Sequence, residues 1–566
     1  MPAPSRRAAD VLVECLRVQG IDTVFGVPGE SYLAVLDALH DTQIRFVPNR
    51  HEGGAAFMAE AWGKLTGQPG ICFVTRGPGA TNAAIGVHTA RQNSTPMVLF
   101  VGQVARDMRG REAFQELDYR ASFGALAKWA VEIDDPDRMT EIVARAFATA
   151  LSGRPGPVVV ALPEDVLAAP SSSPALSALV DPPLPGVRGR DAEAAAAALM
   201  TAERPLVLIG GGGWERAGQR ATLDAFTTAA GQAGVPIAVA FRRQDLIDNA
   251  APAYVGDAGV GMAPHIKRAI READLLVAVN IRFGETETDG YTLIDVPVPR
   301  QRVIHVHPDA SELLKIYQGV EAVQAAPGEF LAALTQALGT AVSRQADRPA
   351  QTWHADLRAA WEASFALPAQ PAGLDMGAVM AVLRDRLPAD AILTNGAGNF
   401  AIWPGRLFRY GPEHRYLAPQ SGAMGYGLPA AIAAKLRHPS RTVLCFAGDG
   451  DIQMTMPELG TAMQAGAMPV TLIVNNGAYG TIRMHQERHF PGRISATQIV
   501  NPDYTAIGRA YGAYAERVTE TAAFVPAFER ALDSPTGALL DLVLPTEAIT
   551  PRETLSQMRE KALAAG

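Results

Sequence analysis

Two short motifs carry the residue types that hold a metal-bound phosphate. Gly448-Asp449-Gly450-Asp451 closes the apolar run TVLCFA and Asn475-Asn476 closes the run PVTLIV, with 24 residues between Gly450 and Asn475. In an open parallel sheet, ligands bind beyond the carboxyl ends of the strands, so both motifs open on the same crevice. Glycines beside Asp449 let a phosphate approach the backbone, while the carboxylate and an asparagine carbonyl are hard oxygen ligands. Mg²⁺ takes few such protein oxygens and completes its octahedron with phosphate oxygens and water. A helical stretch at 456–466 is expected to aim its N-terminus at the same charge. Each motif alone is also an ordinary tight turn; their pairing at two strand ends favours the diphosphate–metal reading. A further acid, Glu52, directly precedes the helical pattern GGAAFMAEAWGKLTG. Read locally, it is equally an acid favoured at a helix start by the macrodipole.

Parallel sheets must position these motifs, and the chain reads that way throughout. Apolar, β-branched runs at 98–101, 158–161, 206–209, 275–279, 303–306, 391–393, 443–446 and 470–474 are expected as buried strands. Helical patterns such as 192–201 and 376–387 lie between them. The alternation gives an α/β fold of three doubly wound parallel-sheet domains, at 1–170, 187–340 and 373–550. The Pro/Ser/Ala-rich stretch 168–186 and the stretch 341–373 are expected as linkers or surface connections. No sequence repeat is visible. The 566 residues are 48% hydrophobic, with 50 Lys plus Arg against 58 Asp plus Glu. That acidic balance, without a basic tract, argues against nucleic-acid and anionic-membrane partners. Three scattered cysteines, Cys15, Cys72 and Cys445, suit neither a disulfide framework nor a zinc site. The opening MPAPSRRAADVLVECL lacks the apolar core of a signal peptide, and no run of about 18 apolar residues occurs. A cytoplasmic enzyme is the expectation.

The paired motifs closely match those of thiamine-diphosphate-dependent enzymes, and the chain resembles the acetohydroxyacid (acetolactate) synthase and pyruvate oxidase-like branch along essentially its whole length. The resemblance implies Mg²⁺ bound by Asp449, Asn476 and the backbone carbonyl of Ala478. It places Gly448, Gly450, Asp451, Gly398 and Asn399 at the diphosphate. The segment QSGAMGYGLPAA resembles the part that meets the aminopyrimidine, where Met424 would prop the cofactor into a bent shape and Gly422 would offer its carbonyl. Glu52 then becomes the carboxylate that hydrogen-bonds the pyrimidine N1′ atom. That bond favours the imino tautomer, whose nitrogen takes the proton from the thiazolium carbon; burial would suit the carboxylate to sharing a proton. His51 is expected to be structural. The resemblance also implies that Glu52 comes from one subunit and the diphosphate site from another. A homodimer is then the minimum, and a tetramer is usual.

Further similarity to the synthases lies in TRGPGATN (75–82), STPMVLFVGQV (94–104) and AFQELDYRASFGALAK (113–128). It implies a substrate cavity lined by Gln103, Phe114, Gln115 and Lys128, with amides orienting an oxygen, Phe114 packing an acyl group and Lys128 attracting a carboxylate. Two positions depart from the synthase pattern. Glu30, in GVPGE, stands where synthases carry Gly, and pyruvate decarboxylase-like enzymes carry an acid there for proton handling. His485 replaces the tryptophan that grades acceptors; Tyr479 and His485 are expected as substrate contacts. The central domain opens with PLVLIGGGGWERAG, which lacks GxGxxG spacing. Relatives hold FAD there, or ADP or CoA, or nothing, so bound FAD and a purely structural domain both stay open. The expected activity is decarboxylation of a 2-oxo acid with carboligation or aldehyde release. The alternatives are a carbon–carbon lyase acting on 2-hydroxyacyl thioesters and a non-catalytic binding relative.

Overall fold

The computed structural model describes residues 6–216, 218–342 and 349–565. Three six-stranded parallel sheets follow one another along the chain. The first runs edge to edge through Arg45–Pro48, Thr23–Gly26, Gly70–Val74, Met97–Gln103, Pro157–Pro163 and Trp129–Glu132. The third runs through Arg415–Leu417, Ile392–Asn395, Val443–Gly448, Val470–Asn475, Ala538–Val543 and Tyr514–Val518. Counted by chain order within each sheet, both read 2-1-3-4-6-5, so the third sheet repeats the topology of the first without repeating its sequence. The central sheet, from Tyr254–Ala258 through Ile237–Ala240, Pro205–Ile209, Leu275–Val279 and Arg302–His307 to Glu321–Gln324, reads 3-2-1-4-5-6. That is the doubly wound nucleotide-fold order.

Each strand read from an apolar run is present. Helices cover both faces of the sheets, which is why strands such as Met97–Gln103 and Pro157–Pro163 are buried at every residue. One linker is corrected. The stretch 341–373 contains the helix Pro349–Ala363, which sinks Trp353, Leu357 and Trp361 into the central domain at four-residue spacing. Residues 343–348 of that stretch lie outside the described residues. Among the described residues no helix is long and apolar enough to cross a membrane.

The first and third domains share one core. Helix Glu52–Thr66 packs against helix Gly427–Arg437, and Phe57, Met58, Tyr426, Leu428, Ile432 and Leu459 join a single buried cluster. Within the first domain, small residues bring helix Glu52–Thr66 close to strand Gly70–Val74 and helix Gly77–Asn93. A Cβ on Gly70 would lie 1.7 Å from the Ala59 carbonyl oxygen, and one on Gly86 would lie 2.3 Å from the Ala56 Cβ. Gly70→Ala must therefore displace strand or helix. It is expected to cost about 1–3 kcal/mol or more and to lower the thermal midpoint by several degrees at fixed protein concentration. An unchanged midpoint would contradict this packing.

Candidate active site

The third sheet reverses its winding between Ile392–Asn395 and Val443–Gly448, and the crevice of a doubly wound sheet lies at such a point. There the structure has a cleft of about 220 Å³. Gly398, Asn399, Gly422, Met424, Gly448, Asp449, Gly450, Asp451, Asn476, Ala478 and Tyr479 all line it. Phe400, Trp403, Thr481, Ile482, Leu544 and Ile549, which carry no motif in the sequence, also line it. Leu544 and Ile549 follow the last strand, and the chain returns over the cleft with the Ile549 carbonyl accepting from Asn399 Nδ2 (3.2 Å).

Asp449 is 3% exposed, and its partners among the described residues are neutral donors. Its Oδ1 accepts from Gly450 N (2.9 Å), and its Oδ2 accepts from Gly477 N (2.8 Å) and Asn501 Nδ2 (2.7 Å). Burial raises its pKa against the pull of these neutral donors. A buried carboxylate in this state fits a divalent cation in the cleft, with the Asn476 and Ala478 oxygens as partners. Among the described residues no group of three His, Cys, Asp or Glu is placed to hold a metal. Asn501 also donates to Asn475 Oδ1 (2.8 Å), and the Tyr504 hydroxyl donates to the Asp449 carbonyl (2.9 Å). Sequence reasoning missed both, since they approach Asp449 from some fifty positions away with no motif. The helix that opens at the motif is Asp449–Ile452; the one expected at 456–466 spans Glu458–Ala465, beyond an intervening turn.

Asp451 reaches inward. Its Oδ1 accepts from Ala397 N (3.1 Å) and Gly425 N (2.8 Å), so one carboxylate ties three cleft loops together. Gly425 sits at φ +80°, where a side chain would be strained.

The first sheet positions Glu52. Strand Arg45–Pro48 leads to His51, which caps helix Glu52–Thr66 by accepting from Gly53 N through Nδ1 (3.0 Å). The Glu52 carboxylate is half-buried and accepts from Asn82 Nδ2 (2.9 Å). It does not line the cleft of its own chain. Glu30 pairs with the buried Arg76 (2.6 Å), so its carboxylate is engaged as an acceptor. Gln103 is buried and bound within its own domain, accepting from Val104 N and donating to the Leu117 carbonyl (both 2.9 Å). Phe114 is 73% exposed, and the Gln115 carbonyl accepts from Gly77 N (3.0 Å). Lys128 departs from expectation. It precedes strand Trp129–Glu132 and therefore sits at the opposite end of the parallel sheet from Glu52. There its Nζ donates to the Thr149 and Ser152 carbonyls, and burial pulls its pKa down to about 8. His485 is exposed and its ring stacks on His489, while Tyr479 lies in the cleft.

The central Gly-rich turn, 210–213, is taken up by protein. A Cβ on Gly211 would meet Asn280, and one on Gly212 would lie 2.1 Å from the Ser94 carbonyl oxygen of the first domain. Buried Trp214 donates to the Gly210 carbonyl (2.8 Å). The cavity that this turn lines measures about 20 Å³, room for a water molecule.

Models of known families match three stretches. They are described as thiamine pyrophosphate enzyme, N-terminal TPP binding domain (residues 6–122), central domain (192–334) and C-terminal TPP binding domain (396–542). The chain is 33% identical over 553 residues to the acetolactate synthase large subunit of Parasynechococcus marenigrum (strain WH8102), covering 94% of this chain and 87% of that protein. It is 30% identical to the acetolactate synthase isozyme 2 large subunit of Escherichia coli (strain K12), covering 98% and 99%. It is 32% identical to the acetolactate synthase large subunit of Corynebacterium glutamicum, covering 94% and 85%.

Asp451 makes the site's stability depend on pH. Burial pushes its carboxyl from 3.8 up to about 7. The folded state thus holds the proton more tightly, and this contribution is full below about pH 4 and lost as pH rises through about 7. Asp451→Asn keeps the acceptor oxygen without the charge. In urea unfolding of cofactor-free protein across that window, the variant is expected to lose less stability than the parent. Equal losses would contradict the burial of an unpaired carboxyl.

Proposed function

For this chain, which belongs to the thiamine pyrophosphate enzyme family, we propose an enzyme of the acetolactate synthase type that decarboxylates a 2-oxo acid and joins the remaining acyl unit to an acceptor carbonyl. The meeting of Asp449, Asn476 and Ala478 with the flanking glycines in one cleft is the observation that carries this reading. When bound, thiamine diphosphate supplies a thiazolium carbon that adds to the ketone and accepts the electron pair left by departing carbon dioxide. Asp449, Asn476 and the Ala478 carbonyl would hold Mg²⁺ against the diphosphate, and Gly448, Gly450, Gly398 and Asn399 leave its oxygens room to approach. Gly422 and Met424 would seat the aminopyrimidine.

Glu52 would hold the proton at the pyrimidine N1′ atom. The cleft of one chain lacks Glu52, so a second copy supplies it. Exposed apolar residues such as Phe114 (73%), Ile482 (56%), Met454 (51%) and Ile85 (43%) are surface that a partner would cover. A homodimer is the minimum assembly in this reading, and a tetramer is two such dimers. Phe114 is free to pack an acyl group in the shared site, Gln103 and Gln115 shape the loop that carries it, and Tyr479 faces substrate. Lys128 has no part. Glu30 is turned to Arg76 as an ion-pair partner and is given no catalytic role in this reading. We assign the central domain a structural role without FAD. Three free, buried cysteines accord with a reducing, cytoplasmic setting.

A panel of 2-oxo acids supplied with thiamine diphosphate and Mg²⁺ should yield carbon dioxide and a ligated 2-hydroxy-3-oxo acid. Aldehyde as sole product would replace this reading with a decarboxylase. Glu52→Gln should keep cofactor affinity and lose on the order of a hundredfold in kcat. Asp449→Ala should instead weaken Mg²⁺-dependent cofactor binding by about tenfold or more. Unchanged affinity in that variant would remove Asp449 as a ligand.

A further inference from the structure

Helix Glu52–Thr66 is anchored to the third domain of its own chain at three levels. At its start, Glu458 reaches across from helix Glu458–Ala465. Glu458 Oε1 accepts from Arg50 N (3.2 Å) and His51 N (3.0 Å), and Oε2 accepts from Asn49 Nδ2 (3.1 Å) and Thr461 Oγ1 (2.6 Å). In the middle, Glu60 accepts from the Tyr426 hydroxyl of the third domain as well as from Asn93 and Thr95 (2.7 Å each). At its end, Lys64 Nζ donates to the Ala418 carbonyl (3.1 Å). Glu458 and Glu60 are both fully buried.

The first anchor is tight. A Cβ on Gly54 would lie 2.4 Å from Glu458 Oε1, so the glycine after Gly53 is what admits the carboxylate against the helix start. Losing it takes the shared acceptor from the Arg50 and His51 amides and leaves the buried Asn49 side chain short of a partner, an unmet buried donor being costly. The backbone at 49–51 would then seek other partners. Because a side chain's direction follows the backbone that bears it, the first residue of the helix, Glu52, would turn with it.

We propose that Glu458, seconded by the Glu60–Tyr426 bond, is a positioning residue that holds Glu52 at the angle needed to reach the aminopyrimidine N1′ atom. This rests on the reading of Glu52 given above. Helix Glu458–Ala465 follows, in the chain, the Gly448–Asp451 loop of its own cleft, while Glu52 would serve the cleft of a second copy. One buried carboxylate therefore joins the two roles that each chain plays.

The test measures, in Mg²⁺-loaded holoenzyme, the affinity for thiamine diphosphate and the hydrogen–deuterium exchange rate at the thiazolium C2 carbon. In Glu458→Ala, exchange should slow by about thirtyfold or more while affinity stays within about threefold, since the diphosphate contacts are untouched. Glu458→Gln retains the oxygen facing the Arg50 and His51 amides and should exchange within about threefold of the parent. Tyr426→Phe keeps the ring packing, so it reports even where Glu458→Ala fails to fold; its exchange should slow several-fold. In a Glu52→Gln background, Glu458→Ala should slow exchange no further, because its route runs through Glu52. Parent-like exchange in both Glu458→Ala and Tyr426→Phe, or an undiminished effect in the Glu52→Gln background, overturns the proposal while leaving the role of Glu52 intact. Parent-like exchange in Glu52→Gln itself overturns both.

Discussion

The carboxylate of Asp449 is buried at the carboxyl end of a parallel strand with only N–H and amide donors around it. Such a group is costly without a counter-charge. The cleft in front of it is where that charge belongs, and its surroundings are organised accordingly. Glycines on either side keep the approach open, Asn501 and Tyr504 fix the carboxylate and its backbone, and Asp451 draws the neighbouring loops inward. The strand order makes this possible. Reversing the winding beside Val443–Gly448 leaves a gap between loops that no crossover helix covers.

The same topological order serves the first domain for another purpose. There the loops at the carboxyl ends carry Glu30, Glu52 and Arg76, with an ion pair and a half-buried acid in place of a cation-seeking cleft. In the proposed reading the two domains would supply complementary halves of a site, and helix Glu52–Thr66 joins the first domain to the third. Its small residues let it lie close against Gly70–Val74 and helix Gly77–Asn93, and its polar anchors reach the third domain. Rigidity at this joint matters because the catalytic proton moves only between atoms held within hydrogen-bond reach.

Much of this was legible in sequence. Long β-branched runs gave eight strands because both faces of a covered parallel sheet must be apolar. The grouping of Gly448–Asp451 with Asn476 in one cleft was legible because both motifs close such a run. Short strands such as Thr23–Gly26 and Arg45–Pro48 gave no comparable signal, at four residues each with polar positions among them. Asn501 and Ile549 were missed because they meet the cleft only through the return of the chain in space. Lys128 was misplaced since spacing along the sequence does not reveal which end of a sheet a residue occupies. The glycines of 210–213 suggested a nucleotide, but close contact with Asn280 and the Ser94 carbonyl needs glycine for the same steric reason. The duplicated topology was invisible because packing order leaves no repeated residues.

The central claim is that a working site takes Glu52 from one chain and Asp449 from another. Mixing the variants Glu52→Gln and Asp449→Ala, under conditions where subunits exchange and at a cofactor concentration that leaves Asp449→Ala unloaded, tests it directly. Each mixed dimer then contains one site with both native residues. Random pairing should restore about a quarter of the parental activity. If mixed dimers form, as separation of differently tagged chains would establish, and activity stays at the level of the separate variants, the account of a shared site is wrong.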